Sequence, residues 1–199
     1  MKGKMHAYSC DTKDRYAVHI YLIIISIGLA FAIQFIVNAL NREIPWWLSI
    51  PGIFSIYGSI YYVFANFFWK CTFFRVIFFI KTPIVAGAYS GILRSSHDEF
   101  VTDKKIDIEI LQSWGKILIS LKTESSQSFS HTCSIAVEDH PIPTISYLYL
   151  NEPSVASVKS MEIHYGMCML DFNGKDLKGE FFTGRGRQTY GIIEANKIR

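Results

Sequence analysis

At 199 residues the chain has room for one soluble domain and a small membrane segment, and too little for two full soluble domains. Residues 1–81 carry eight Lys/Arg against three Asp/Glu, a balance of +5, and residues 82–199 carry twelve against fourteen, a balance of −2; together they give the net +3. The second part therefore lacks the basic footprint of a protein that binds duplex DNA or RNA.

A polar leader, residues 1–15, carries Lys2, Lys4, Lys13 and Arg15. No charged residue follows from Tyr16 to Asn41. As a helix, 17–40 would rise roughly 36 Å, enough to cross a hydrocarbon core of about 30 Å. A cleaved signal peptide is the competing reading, but its apolar core would be about 7–15 residues, and Phe35-Ile36-Val37 offers no small-residue cleavage site. After a polar turn at Asn41-Arg42-Glu43, a second uncharged run extends from Ile44 to Trp69. Trp46, Trp47, Tyr61, Tyr62 and Trp69 mark its two edges, where an aromatic belt belongs. The expectation is a hairpin of two transmembrane helices, about 17–40 and 46–69. Arg42 is the only basic residue in its turn, whereas the leader has four and the following segment has Lys70, Arg75 and Lys81. The positive-inside rule then places both termini and the soluble domain in the cytoplasm.

Residues 70–81 are apolar but punctuated by charge, and Thr82-Pro83 breaks any helix. From Ile84 the period becomes strand-like. Eight strands are predicted, at about 84–94, 104–113, 116–125, 127–138, 143–151, 161–171, 176–184 and 187–195, separated by turn signals such as Trp114-Gly115 and Asn173-Gly174. The expected fold of residues 82–199 is all-β, an eight-stranded up-and-down (lipocalin-like) β-barrel, which removes sheet edges by closing on itself. A two-sheet sandwich is the alternative.

No catalysis is expected: the sequence has no GxSxG, HExxH or Walker loop. No metal or cofactor is expected either. The six histidines lack ligand spacing, and Cys10, Cys71, Cys133 and Cys168 show no CxxC or paired pattern, so they read as reduced thiols in a reducing compartment. Binding is better supported. In Leu177–Gly191, LKGEFFTGRGRQTYG, Arg185 and Arg187 sit with Thr183 and Thr189 on one alternation. An arginine fork suits phosphate oxygens, and Arg187 is placed ahead of Arg185 for reaching inside the barrel. Ser126, Ser128 and Ser130 share one strand face, as do Tyr147 and Tyr149, which offer rings for stacking and hydroxyls for bonding. His164 is a further candidate, and Trp114 is expected to plug the barrel bottom. Each has a plainer reading as surface or packing. Small and polar residues along the helices, including Gly28, Gly52, Gly58 and Ser59, permit close helix approach, within the hairpin or between copies.

The order of these features resembles the membrane effectors of bacterial CBASS anti-phage systems, of the type with two transmembrane helices and a β-barrel. The resemblance covers nearly the whole chain. It rests on that architecture with Gly87-Ala-Tyr-Ser-Gly91, Ser95-Ser96, Gln112-Ser-Trp114, Thr123 and the serine run, Tyr147–Pro153, His164-Tyr-Gly166, and Gly179–Arg185 through Arg187–Gly191. It implies a cyclic dinucleotide ligand made by a partner nucleotidyltransferase. It further implies homo-oligomerisation in the inner membrane, disruption of the lipid bilayer and death of the infected cell. The alternatives from the residues alone are a membrane-tethered barrel carrying a lipid or other apolar ligand, and a structural anchor without a ligand.

Overall fold

A computed structural model describes residues 3–42, 45–157, 162–184 and 188–198, with residues 46–50 and 156 described by backbone only. The chain divides into two compact units, Lys13–Lys81 and a second made of Met1–Thr12 with Thr82–Arg199.

In the first unit, helix α1 (Asp14–Ala39) is apolar around most of its circumference and reaches a mean hydropathy of 2.6. It is long and apolar enough to cross a membrane, and only 11% of that stretch is buried within the fold. Asp14 stands in its first turn, where the helix dipole favours a carboxylate, and accepts a hydrogen bond from the Lys81 backbone N–H at 2.9 Å. Helix α2 (Trp46–Asn66) contains Pro51. His19 Nδ1 lies 2.7 Å from the Tyr57 hydroxyl and its ring stacks on Tyr61 at 5.2 Å, so the start of α1 packs on the end of α2, as in a hairpin. A 3-10 turn (Phe68–Lys70) and short helix α3 (Thr72–Ile77) follow.

The eight expected strands form, close to their predicted bounds: β3 (Gly87–Ser95), β4 (Lys104–Gln112), β5 (Lys116–Lys122), β6 (Ser126–Ala136), β7 (Thr144–Pro153), β8 (His164–Phe172), β9 (Asp176–Thr183) and β10 (Tyr190–Lys197). Each is antiparallel to its sequence neighbour. β10 pairs with β3 and β5 with β6, so the sheet closes as a barrel and not as a sandwich. Period-two burial follows from closure, as in β4, where Ile106, Ile108 and Ile110 are buried between exposed Lys105, Asp107, Glu109 and Leu111.

The polar leader has a role that the sequence pattern does not disclose. β5 and β6 pair over only three positions, Ser120↔Phe129 to Lys122↔Gln127, and on its other side β6 shifts register against β7 between Ser130 and Thr132. Past that point the N-terminal segment fills the seam. β1 (His6–Ala7) pairs antiparallel with β5, and β2 (Ser9–Cys10) pairs parallel with β6. Tyr8, between them, points into the core at 4% exposure. The Gln112 amide donates to the Tyr8 hydroxyl at 3.2 Å and to the Pro83 carbonyl at 3.1 Å, while its oxygen accepts from the Val85 N–H at 2.9 Å. Thr12 and Thr82, where the chain leaves the barrel and returns to it, have their hydroxyls 3.3 Å apart.

Asp11 fastens this strap. Its carboxylate accepts backbone N–H groups from Val137, Glu138 and Asp139 at 2.8–3.2 Å. Slight burial pushes its pKa up, but the backbone donors outweigh that and hold it below the ordinary 3.8. A carboxyl depressed in the folded state contributes stability above its unfolded pKa and loses it as pH falls through the folded value. Asp11→Asn is therefore expected to lower the barrel's melting temperature at pH 7, with the difference from wild type shrinking as pH falls below 3.8; a difference that stays constant would show that the charge is not what holds the strap.

Candidate functional site

Alternation and register together build a cup at one end of the barrel. Three inward rows run across neighbouring strands. The deepest joins Cys133, Tyr147, Cys168, Phe181, Gly191 and Ser95. Above it lie Ser130, Tyr149, Gly166 and Thr183, and at the mouth Ser128, Asn151 and His164. Two glycines make the space. A Cβ on Gly166 would come within 2.3 Å of the Tyr149 ring, and one on Gly191 within 2.5 Å of the Phe181 ring and 2.0 Å of the Arg94 carbonyl oxygen. The resulting cavity has an empty volume of about 690 Å³, part of it open to solvent.

One wall is aliphatic and aromatic, with Leu93, Leu121, Phe181 and Ile193. The hydroxyl-bearing part of the lining lies at two turns. Thr123, Ser125 and Ser126 form a cluster at the β5–β6 turn, with the Thr123 hydroxyl 3.3 and 3.2 Å from those of the two serines. Thr183 and Thr189 bracket the β9–β10 turn. The Thr183 N–H donates to the Thr189 carbonyl at 2.8 Å, and the Thr189 N–H donates to the Thr183 hydroxyl at 2.9 Å. The rings of Tyr147 and Tyr149 lie 6.2 Å apart. Burial raises the Tyr147 hydroxyl well above its usual pKa, and it pushes the Cys133 and Cys168 thiols up to about 12, so these groups stay protonated and inert. His164 Nδ1 donates to the Glu162 carbonyl at 2.9 Å, which leaves Nε2 as the acceptor in the neutral ring.

Of the residues singled out from sequence, Ser126, Ser128, Tyr147, Tyr149, His164, Thr183 and Thr189 line this cavity. Ser130 and Trp114 do not. Ser130 shares the inward face, but its hydroxyl is taken up in the seam, accepting from the Ile119 N–H at 2.9 Å and lying 2.7 Å from His6 Nε2. Trp114 is 1% exposed in the β4–β5 turn, at the end of the strands away from the mouth. Arg185 and Arg187 fall outside the described residues. Sequence reading passed over Lys104, which also lines the cavity. The signal was present: Lys104 is in phase with Ile106, Ile108 and Ile110, so a strand that reads as aliphatic on its inner face begins, at the mouth, with a cation. Among the described lining residues Lys104 is the one Lys or Arg, and there is no Asp or Glu.

An eight-stranded barrel with such a cup, carried on a chain with an apolar helix able to span a bilayer, defines a membrane-associated barrel of the small-ligand receptor type. The chain belongs to the Cap15 family. The family model described as "Cap15, cyclic dinucleotide receptor domain" matches residues 80–197. The chain is 30% identical over 187 residues to a CD-NTase-associated protein 15 of Yersinia aleksiciae, covering 89% of this chain and 86% of that relative. It is 28% identical over 169 residues to a CD-NTase-associated protein 15 of Staphylococcus schleiferi, covering 85% and 90%.

Gly166→Ala tests how the cup is held open. The added methyl must displace the Tyr149 ring, and overpacking of this kind costs about 1–3 kcal/mol. The expected result in chemical denaturation is a loss of that size, smaller when the alanine is added to Tyr149→Leu than to the wild type; equal losses on the two backgrounds would show that the clash lies with the Phe182 carbonyl, 2.8 Å away, and not with the ring.

Proposed function

We propose that the chain is the effector of a CBASS anti-phage system. Its barrel takes up a cyclic dinucleotide made by a partner nucleotidyltransferase, and binding triggers oligomerisation in the bacterial inner membrane, membrane disruption and abortive-infection cell death. The observation that carries this reading is the cup itself. A cyclic dinucleotide presents two aromatic bases and two phosphates. The cup offers tyrosine rings and an apolar wall to the first, and hydroxyls, Lys104 and no carboxylate among its described residues to the second. Arg185 and Arg187, in the turn bracketed by Thr183 and Thr189, are proposed as further phosphate ligands. Membership of the Cap15 family points to the same ligand class.

The strap supports a two-span membrane topology. Because Met1–Thr12 and Thr82–Arg199 belong to one unit, the intervening segment leaves the barrel and must come back to it. An even number of crossings is compatible with that, which supports α2 as a second span beside α1. The basic leader and the basic segment at 70–81 then put the barrel and both termini in the cytoplasm. Self-assembly is assigned to the helices. A Cβ on Gly28, Gly52 or Gly58 would meet nothing within 4 Å, so these small positions are left open by the hairpin's own packing.

The full chain in detergent, heated with a panel of cyclic di-AMP, cyclic di-GMP, cyclic GMP–AMP and cyclic di-UMP, should be stabilised by at least one member. At a hundredfold excess over Kd the gain is about 2.7 kcal/mol. No shift with any member, together with a shift by a long-chain fatty acid, would replace the receptor reading with that of a lipid-carrying barrel. Arg187→Ala and Arg185→Ala should weaken binding more than Lys178→Ala, because Lys178 is exposed on the outer wall and pairs with Glu194 at 3.7 Å; equal effects would make the arginines mere surface charges. Gly58→Leu should reduce ligand-induced oligomers in cross-linking while leaving the thermal shift intact, and oligomers that persist would move the assembly face elsewhere.

A further inference from the structure

The corner between β3 and β4 holds a feature that the receptor reading does not use. Lys104 opens β4 opposite Leu93, which also lines the cup, so its side chain stands on the inner face. Its ammonium is 3.1 Å from Asp98 Oδ2, at the end of the 3-10 turn Ser96–Asp98. Asp98 does not line the cavity. The rim therefore holds its one described cation against a carboxylate seated just outside. The pair is half-open to water, with Lys104 37% and Asp98 23% exposed, and such pairs are weak and exchangeable.

The corner is also held under strain. Glu99 and Phe100 follow directly with φ of 54° and 63°, a left-handed pair that neither residue favours. Two ties fasten this corner to the start of β10, beside the threonine bracket. The Tyr190 N–H donates to the Ser96 hydroxyl at 3.0 Å, and the Phe100 ring lies 5.8 Å from that of Tyr190. A separate ion pair, Arg94–Asp103, braces the same corner from the exposed side at 2.5 Å. Only one of the two pairs has its cation in the cup.

We propose that Lys104 is the cup's phosphate anchor and that Asp98 is its resting counter-ion, which a ligand phosphate displaces. This rests on the receptor reading above and adds a role for a residue outside the cavity. A phosphodiester and a carboxylate each carry one negative charge, so the exchange leaves the ammonium neutralised throughout. Asp98 thereby sets the ligand concentration at which the barrel fills: it competes for the cation without touching the ligand. Removing it should tighten binding, the reverse of what loss of a contact residue does.

The test uses the full chain in detergent at physiological ionic strength, with the cyclic dinucleotides of the thermal-shift panel titrated by calorimetry. Lys104→Gln should weaken binding by about tenfold or more, and Lys104→Arg should retain most of it. Asp98→Asn should tighten binding by about threefold, the scale of an exposed pair. In Asp98→Asn/Lys104→Gln the gain should vanish, because Asp98 acts only through Lys104. Asp103→Asn, which breaks the outer brace, should leave affinity unchanged. If Asp98→Asn weakens binding, or matches Asp103→Asn in every respect, the pair is only a structural tie and the proposal fails. Wild-type binding that Lys104→Gln leaves untouched overturns this inference alone, and absence of wild-type binding to every member overturns the receptor reading with it.

Discussion

Closure of the β5–β6 seam is the constraint on which the rest of the molecule depends. An eight-stranded barrel has no free edge only if its last pair of strands meets along its length, and here that pair meets at three positions. Beyond them, backbone donors and acceptors on both strands would face water or an apolar core, at a cost comparable to lost hydrogen bonds. The chain solves this with residues that precede α1. Two fragments of two residues each, separated by the buried ring of Tyr8, pair with both lips of the gap. The consequence reaches outside the barrel, since a strap that must reach the seam ties both ends of the helical segment to one body.

The cup follows from how the inward rows change along the strands. Toward the β4–β5 turn they are largely aliphatic, with Ile110, Ile117 and Leu177 fully buried in the core. Toward the mouth the same alternation delivers Ser128, Asn151, Thr183 and Lys104. Glycines at Gly166 and Gly191 leave room where larger residues would have filled the centre. The hydroxyl wall and the strap share β6: Ser128 lines the cup, and Ser130, two residues on, holds the Ile119 N–H and lies against His6. The cup and the chain leading to α1 are thus neighbours on a single strand.

Much of this was legible because closed sheets impose a strict period. Strands such as 104–113 and 176–184 were placed within a residue of Lys104–Gln112 and Asp176–Thr183. The misses have physical causes. Apolar Ile84 and Val85 extend the apparent first strand, but the Gln112 side chain, not a neighbouring strand, takes the Val85 N–H. Arg187-Gln-Thr reads as strand, yet Gln188 adopts a φ of 43° and β10 begins at Tyr190. The strap had no period to read, because two-residue strands carry none. Ser130 looked like its neighbours Ser126 and Ser128 because the register shift that follows it leaves no mark in composition. Lys104 was readable, but a charge at a strand's first position is easily taken for part of a turn.

The electrostatics reward a local view over an average one. Residues 82–199 are net acidic, so the domain as a whole does not draw an anion in from a distance, and screening at physiological salt confines any attraction to within about 8 Å. A phosphate-bearing ligand has to be recognised by contact. The cup is arranged for that, since its described lining excludes every carboxylate while the outer wall carries Asp107, Glu109, Asp171 and Glu180. Segregating charge between the two faces of each strand is open to a barrel because its alternation is fixed by closure. It gives an acidic exterior and, among the described residues, a cup lined by one cation and no carboxylate from one strand set, so that recognition of an anion there would depend on groups a few ångströms away, not on the field of the whole protein.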